Sequence, residues 1–144
     1  MSKKLVRDTG LEIGTPIPHI HFTNWDSSQL ELKFLPKGAA LVFVSVFCSY
    51  CIDLLPHLGS ISQSQDMQLY LFSDGEIEDH AEMADYFEWN FPVIQLKHQE
   101  MNEIFKVSYH PFLLLTDSKG VIISKGDIYK AEDFHKILES VTLQ

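Results

Sequence analysis

The most constraining feature of this chain is a continuous apolar run, AALVFVSVF, at positions 39–47. Its β-branched and aromatic residues favour a strand, and the absence of polar alternation indicates a central strand covered on both faces. Such a strand requires helices on both sides of its sheet, which predicts an α/β fold. The run leads directly into Cys48, and Cys51 follows three positions later, so both cysteines of the chain lie where this strand ends.

The first half of the chain predicts a parallel β-α-β unit around this strand. Apolar residues at spacings of three and four between 50 and 63 predict a helix, which Pro56 should kink because proline removes a backbone donor. The run MQLYLF at 67–72 predicts the next strand, and SDG at 73–75 supplies a turn with a helix-starting acid. A crossover of this kind is right-handed, with its two strands parallel.

The second half predicts a different arrangement. A short helical link near 101–106 precedes two strands at 112–117 and 121–126, which are close enough to form a hairpin, and a final helix follows. The sheet is therefore expected to be mixed, with helices on both faces. The segment 8–35 is expected to form an N-terminal extension and edge hairpin, with an alternating strand from residue 30, in a single domain spanning 1–144.

Length, charge and hydropathy exclude several classes of function. At 144 residues the chain can form one core without a stabilising disulfide. A net charge of -9 with a single arginine, Arg7, leaves no basic surface for nucleic acid. No apolar stretch approaches the ~18–20 residues that span a bilayer, so we expect a soluble monomer without a membrane-spanning segment.

The position of the two cysteines suits thiol-disulfide exchange. Cys48 lies where the strand is expected to end and a helix to begin. The free N–H groups and the dipole at the N-terminus of that helix stabilise a thiolate. We therefore expect Cys48 to be the nucleophile and Cys51, one helical turn further on, to be the resolving partner. A disulfide that closes so short a loop is easily reduced and removes little entropy from the unfolded chain, which disfavours a structural role.

Two other uses of the pair stay open. Zinc normally needs four ligands, and the sequence offers neither a second CxxC nor a zinc-finger spacing of the nearest histidines, His57 and His80. Two inert buried thiols are the other alternative. We expect no metal, and no cofactor other than a redox-active disulfide between Cys48 and Cys51.

Three further residues are candidates for the site. Proline directly before the apolar strand FLLLT would remove a ladder hydrogen bond, unless it starts the strand or lies in a cis turn. We interpret Pro111 as a cis proline whose missing N–H leaves the preceding backbone free to pair with a peptide, and a trans proline that starts the strand is the alternative. His110 is a candidate for tuning Cys48 or binding substrate, and Tyr50 for contacting substrate.

The order of these segments also supports a resemblance to a known family. The segments that carry it are GTPIPHIHF at 14–22, LVFVSVFCSYCIDLLPHL at 41–58, LFSDG at 71–75, FPV at 91–93 and VSYHPFLLLTDSKGVIISKG at 107–126. Together they resemble a thioredoxin fold, and in detail the TlpA and ResA group of thiol-disulfide oxidoreductases and its MauD-like proteins. The resemblance implies that Cys48 and Cys51 are the redox pair, that Pro111 faces them, and that the partners are protein or peptide clients and an electron donor.

The chain departs from that group at two positions that matter for proton transfer. Val42 stands where thioredoxins bury an aspartate, and Leu54 where ResA-like proteins carry a glutamate. With neither acid present, proton transfer to Cys51 must rely on His110, Asp53 or water.

Relatives in the group work outside the cytoplasmic membrane from an N-terminal anchor, so the expected location is the cytoplasm or, if an anchor was removed, the extracytoplasmic side of that membrane.

The predicted function is disulfide exchange with protein or peptide clients, and two alternatives are weaker. SVFC at 45–48 resembles part of a peroxiredoxin motif, but a peroxidase needs a proline where Leu41 stands and an arginine near the thiolate. A Sco-like copper chaperone would use both cysteines and a distant histidine, for which His135 is the candidate. Such chaperones separate their cysteines by three residues, whereas this chain separates them by two.

Overall fold

The computed structural model describes residues 9–64 and 67–142, so that Arg7 and the first residue of the predicted extension lie outside it. Within these ranges, five strands form one mixed sheet and two form a separate hairpin. In chain order the strands are β1 (His21–Thr23), β2 (Gln29–Glu31), β3 (Ala39–Val44), β4 (Gln68–Ser73), β5 (Val93–Gln95), β6 (Phe112–Thr116) and β7 (Ile122–Asp127).

Helices connect and cover these strands. In chain order they are α1 (Ser49–Leu54), α2 (Leu58–Ser64), α3 (Ile77–Tyr86), α4 (His98–Phe105) and α5 (Ala131–Thr142), with a 3-10 turn (Leu55–His57) between α1 and α2. None of the helices in the described ranges is long and apolar enough to cross a membrane. The prediction of an α/β fold with a mixed sheet is confirmed.

Strand β3 is the centre of the main sheet. The strand order is β5-β4-β3-β6-β7, with β3 parallel to β4 and antiparallel to β6. All six residues of β3 are buried. A polar side chain on either face of this strand would lie in the core, which explains why the apolar run lacks alternation.

Apolar side chains pack on both faces of the sheet. The face that carries Val42 packs against α1, α2 and α5, and the face that carries Phe43 packs against α4 and the N-terminal hairpin. On the second face, the ring centroid of Phe43 lies 4.9 Å from that of Phe72 and 5.1 Å from that of Phe105. The two clusters hold the end of β3, and therefore the CxxC segment, in a rigid frame.

The hairpin of β1 and β2 lies beside the edge strand β5, where Asn24 forms an isolated bridge with Ile94. β2 ends earlier than the alternating strand that we predicted from residue 30. The backbone N–H and carbonyl oxygen of Lys33 are hydrogen-bonded to the hydroxyl of Tyr70, at 2.7 and 3.2 Å, and not to a neighbouring strand. A tight turn follows, in which Leu35 and Gly38 exchange backbone hydrogen bonds at 3.1 and 2.7 Å.

Helix α4 begins earlier than the helical link that we predicted near 101–106. The side chain of Glu100 accepts a hydrogen bond from the backbone N–H of Lys97 at 2.9 Å, which caps the first turn and extends the helix to His98. This extension places His98 at the same edge of the sheet as the cysteines.

We predict that Gly38→Ala destabilises the protein much more than Gly14→Ala. Both glycines have a positive φ, +104° at Gly38 and +95° at Gly14, which disfavours alanine at either position. A Cβ on Gly38 would also overlap the carbonyl oxygen of Thr116, whereas one on Gly14 would have no atom within 4 Å. We expect Gly38→Ala to lower the free energy of unfolding by at least about 2 kcal/mol more in urea denaturation. Equal losses would contradict the close approach of Gly38 to β6.

Candidate active site

Cys48 follows β3 in the chain and is the N-cap residue of α1. Its backbone is extended (φ -110°, ψ 121°), and its Sγ accepts a hydrogen bond from the N–H of Cys51 at 3.4 Å. The free N–H groups and the dipole of the helical segment favour negative charge at this position. Because the side chain is partly exposed, the sulfur is open to a reactant from solvent.

Cys51 lies one turn further on and is completely buried. Its Sγ accepts a hydrogen bond from the N–H of Ser45 at 3.3 Å. Burial raises the pKa of the Cys51 thiol well above its ordinary value, and the charges of Cys48 and Asp74 act in the same direction. Both cysteines are free thiols, so the pair consists of one accessible sulfur and one buried sulfur that keeps its proton at neutral pH.

The backbone carbonyl of the residue before Pro111 contacts the sulfur of Cys48. The His110–Pro111 peptide bond is cis, and Pro111 is buried immediately before β6. The carbonyl oxygen of His110 accepts a hydrogen bond from the Cys48 thiol, with an S···O distance of 3.8 Å. The structure therefore brings Cys48, Cys51 and the His110–Pro111 segment together at one edge of the sheet.

The ring of His110 has other partners. Its Nε2 lies 3.0 Å from the Sδ of Met101, and its centroid lies 4.5 Å from that of His98. Burial lowers the pKa of His110 to about 4, and His98 adds to this effect while Asp74 opposes it. The ring is therefore neutral at physiological pH. A role for the ring in tuning Cys48 stays a prediction.

Exposed aromatic side chains lie near the site: Phe47 and Tyr50 are close to Cys48 in sequence, Tyr129 contacts Tyr50, and Tyr109 precedes His110. We call these four residues the aromatic rim. Phe47 is 88% exposed and Tyr50 is 62% exposed. The rings of Tyr50 and Tyr129 meet edge to face, with centroids 5.3 Å apart. Side chains of this type, exposed around a reactive group, are suited to contact with another protein surface.

Pro56 interrupts the helix that follows the cysteines, as its sequence position predicts. It lies in the 3-10 turn between α1 and α2, where its ring removes a backbone donor. α1 is anchored before this turn by the fully buried Leu54. The 3-10 turn therefore separates the short helix that follows Cys48 from α2.

Asp74 is the site residue that sequence reasoning missed. Its side chain is only 6% exposed, and its carboxylate accepts hydrogen bonds from the Ser45 hydroxyl at 2.7 Å and the Val46 N–H at 2.8 Å. Nε2 of His98 lies 2.9 Å from the same carboxylate. We interpreted this aspartate as the acid that starts the next helix, whereas the N-cap of α3 is Glu76.

A signal for Asp74 was nevertheless present in the sequence. Parallel strands end at the same edge of a sheet, so an acid that directly follows β4 comes close to the residues that directly follow β3. The observed register places Ser73 opposite Val44, which brings Asp74 beside Ser45. The missing information was the register, since hydrophobic periodicity identifies a strand but not its partner residues.

No group of three or more His, Cys, Asp or Glu side chains within 9–64 and 67–142 is arranged to hold a metal ion. His135, the candidate copper ligand, is exposed on α5 with its ring centroid 5.5 Å from that of Phe134.

We predict that the protein loses stability as the pH falls from about 6.5 to about 4, and that His110→Gln reduces this loss. The folded-state pKa of His110 is lowered from 6.5 to about 4, so the unfolded chain binds more protons than the folded chain within this interval. The contribution of neutral His110 to the free energy of unfolding is therefore fully present above pH 6.5, its pKa in the unfolded chain. It is lost as the pH falls toward about 4, its pKa in the folded chain. Urea denaturation at several pH values measures this slope.

The exposed His19 provides the control for this prediction. His19→Gln should leave the pH dependence of unfolding as in the unchanged protein. If the free energy of unfolding of His110→Gln depends on pH as steeply as that of the unchanged protein, folding does not lower the pKa of His110, and the prediction is wrong.

Comparisons with known proteins agree with the observed fold. No family model matches the chain. The chain is 26% identical over 140 residues to the methylamine utilization protein MauD of Paracoccus versutus, an alignment that covers 94% of this chain and 69% of that protein.

Two solved structures have a similar fold. The thioredoxin domain of a thiol-disulfide oxidoreductase from Bacteroides vulgatus has a TM-score of 0.69 at 17% identity, covering 91% of this chain and 99% of that one. A thio-disulfide isomerase from Thermus thermophilus has a TM-score of 0.71 at 17% identity, covering 92% of this chain and 96% of that one. The chain thus has a thioredoxin-like fold and is similar in sequence to MauD.

Proposed function

We propose that this chain is a thiol-disulfide oxidoreductase that exchanges disulfides with protein or peptide clients through Cys48 and Cys51. The observation that carries the proposal is the asymmetry of the pair: one sulfur is partly exposed at a helix N-terminus, and the other is buried in the following turn. The similarity to MauD and to thiol-disulfide oxidoreductases of the same fold supports this class of reaction.

In the first step, the Cys48 thiolate attacks one sulfur of a client disulfide. A bond forms between Cys48 and the client, the client disulfide breaks, and the leaving thiolate takes a proton from water. The helix N-terminus and the Cys51 N–H, which already points at the Cys48 sulfur, stabilise the attacking thiolate. Burial keeps Cys51 protonated, so it does not compete with Cys48 for this attack.

In the second step, Cys51 gives up its proton and attacks the Cys48 sulfur of the mixed disulfide. The bond between Cys48 and Cys51 forms, the bond to the client breaks, and the departing client thiolate takes up a proton. Two electrons have then passed from the dithiol to the client. A thiol or dithiol electron donor must afterwards reduce the pair for another cycle.

The aromatic rim and the His110–Pro111 segment are proposed to bind the client. Tyr50 and its partner Tyr129 offer exposed aromatic surface beside Cys48, and the His110 carbonyl faces the same sulfur. A client whose disulfide is flanked by apolar residues would bury them on this rim while its backbone approaches Pro111. We expect the protein to act on such clients as a monomer.

No feature of the residues that the structure describes favours a peroxidase or a copper chaperone over disulfide exchange. A peroxidase of this type needs an arginine near the thiolate, and residues 9–64 and 67–142 contain no arginine. Leu41, where a peroxidase would need proline, is a buried residue inside β3. Exchange requires only the two sulfurs and a client.

We predict that iodoacetamide alkylates Cys48 in the native protein at neutral pH and leaves Cys51 unmodified. The thiolate is the reactive form, and Cys51 is both buried and held in its thiol form. Peptide mapping by mass spectrometry should show Cys48 modified at least about tenfold faster. In denaturant both cysteines should react at similar rates, and faster labelling of Cys51 in the native protein would reverse the assigned roles.

We predict that Cys51→Ser accumulates a mixed disulfide with a model client such as insulin, because the resolving thiol is missing. The unchanged protein should reduce insulin in the presence of a dithiol reductant, and Cys48→Ser should neither reduce insulin nor form the adduct. Non-reducing electrophoresis and mass spectrometry of the adduct measure both results. Equal adduct formation by the two variants would contradict the assignment of Cys48 as nucleophile.

A further inference from the structure

The negative charge of the chain is concentrated in one continuous segment. Nine Asp and Glu residues and no Lys or Arg occur at positions 38–96, so this segment accounts for the whole formal net charge of -9 at pH 7. Outside it, eleven acids are balanced by eleven Lys and Arg residues. The segment includes both cysteines and the helices α1, α2 and α3. A partner that approaches these helices therefore meets a negative field.

Helix α3 belongs to the same layer of the fold as the CxxC helix. Met83 and Phe87, at the end of α3, pack against the core cluster that contains Cys51. The turn before α3 lies beside the turn that leads to Cys48, because Asp74 accepts a hydrogen bond from the Val46 N–H at 2.8 Å. The ten residues of α3 span about 15 Å. A partner with an interface of about 800 Å² per side can therefore contact both Cys48 and the outer face of α3.

An open groove of about 460 Å³ lies at the C-terminal end of α3. We call it the α3 groove, and the residues that line it are Glu82, Met83, Asp85, Tyr86 and Phe87. The Tyr86 side chain is 79% exposed, and its ring meets that of Phe87 edge to face, with centroids 4.9 Å apart. The groove thus combines apolar surface with two carboxylates.

The aromatic wall of the groove is anchored in the core. The ring of Phe87 stacks on that of Trp89 with centroids 5.0 Å apart, and Trp89 lies 5.0 Å from Phe91 by the same measure. Phe91 is only 4% exposed. Because these rings hold one another in place, an apolar side chain that packs on the wall does not have to order it first.

The acids of the groove are not explained by the stability of α3. Glu82 and Asp85 lie in the second half of the helix, where the helix dipole disfavours negative charge. Glu78, Glu82 and Asp85 follow one another at spacings of four and three, so they share a face and repel one another. Within 9–64 and 67–142, no group of such side chains is arranged to hold a metal ion. Positive side chains of a partner protein are the cations that suit this face.

We propose that the α3 groove is a docking surface for clients of the exchange reaction whose own surface carries Lys or Arg around a large apolar side chain. This inference rests on the proposed function. The apolar side chain packs on Tyr86 and Phe87, and the cations pair with Glu82 and Asp85. A cation above the ring of Tyr86 adds a favourable cation–π contact. Docking adds no chemical step, because it only raises the effective concentration of the client disulfide at Cys48.

Three synthetic peptides separate the charge of the client from its apolar contact. Each carries one intramolecular disulfide and a tail of about ten residues, which spans about 33 Å when extended and so exceeds the length of α3. The first tail has Lys residues around a Phe. In the second tail Glu replaces every Lys, and in the third Ser replaces the Phe. Reduced protein is mixed with each peptide, and mass spectrometry of acid-quenched samples gives the rate constant of peptide reduction.

We expect the first peptide to react at least about tenfold faster than the second and about threefold faster than the third in ~0.01 M salt, where the Debye length is about 30 Å. In ~1 M salt, where it is about 3 Å, the advantage over the second peptide should fall below about threefold. The advantage over the third should persist, because salt does not screen apolar packing. Equal rates for the first and second peptides at low salt would overturn the proposal.

A pair of charge variants tests whether the position of the acids matters. The double variant Glu82→Gln and Asp85→Asn should slow reduction of the first peptide at least about fivefold at low salt. The double variant Glu12→Gln and Glu103→Gln makes the same change of charge at exposed positions outside 38–96, and it should slow the reaction by less than about twofold. Equal slowing by the two pairs would show that only the total charge acts, and would overturn the groove as the docking surface.

Variants of Tyr86 test the apolar part of the groove. Tyr86→Ser should slow reduction of the first peptide at least about threefold and leave that of the third unchanged, whereas Tyr86→Phe should keep the original rates. A Tyr86→Ser protein with unchanged rates would overturn the proposal. If Tyr86→Ser does not fold, equal rates for the first and third peptides with the unchanged protein overturn it instead.

A small uncharged disulfide distinguishes failure of docking from failure of the proposed function. Bis(2-hydroxyethyl) disulfide is too short to reach the α3 groove from Cys48, so all of these variants should reduce it at the rate of the unchanged protein. If the unchanged protein reduces neither this compound nor any peptide, the exchange mechanism is wrong, and the docking surface falls with it. If it reduces the small disulfide and all three peptides at one rate, the docking surface alone is overturned.

Discussion

The parallel pairing of β3 with β4 is the interaction on which the candidate site depends. Its register places Val44 opposite Ser73, so that Ser45 and Asp74 leave the sheet side by side. The Asp74 carboxylate then accepts hydrogen bonds from Ser45 and Val46, which fixes the turn leading to Cys48. An apolar side chain at position 74 would leave these donors without their acceptor, at a cost of about 1–3 kcal/mol for each buried group.

That turn gives the two sulfurs different surroundings within one short helix. Cys48 lies at the aromatic rim and within hydrogen-bonding distance of the His110 carbonyl, whereas Cys51, inside α1, lies in the core. In the proposed mechanism, the same functional group is therefore a nucleophile in one position and a protected thiol in the other. The order of the proposed steps follows from burial and backbone geometry rather than from residue type.

The features that depend on local pattern were predictable from the sequence. The apolar run at 39–47 predicts the central strand, the position of Cys48 at its end predicts the start of a helix, and Pro56 predicts the interruption of that helix. These predictions succeed because strand burial, helix capping and proline geometry are properties of a few neighbouring residues.

The polar partners of the site were not predictable in the same way. The contact between Asp74 and Ser45 joins residues separated by 29 positions, and it depends on a strand register that periodicity does not reveal. His98 was missed because the Glu100 side chain extends α4 beyond its apolar pattern. The ring of His110, which sequence position alone associates with Cys48, packs instead against Met101 and His98, and only its carbonyl contacts the sulfur.

A redox equilibrium titration in glutathione buffers, read by mass spectrometry of the intact chain, tests most directly whether Cys48 and Cys51 form a reversible disulfide. The geometry predicts one transition in which both thiols disappear together, the chain loses the mass of two hydrogen atoms, and no glutathione remains attached. A stable glutathione adduct on Cys48 with Cys51 still free, or a disulfide between two chains, would contradict the account.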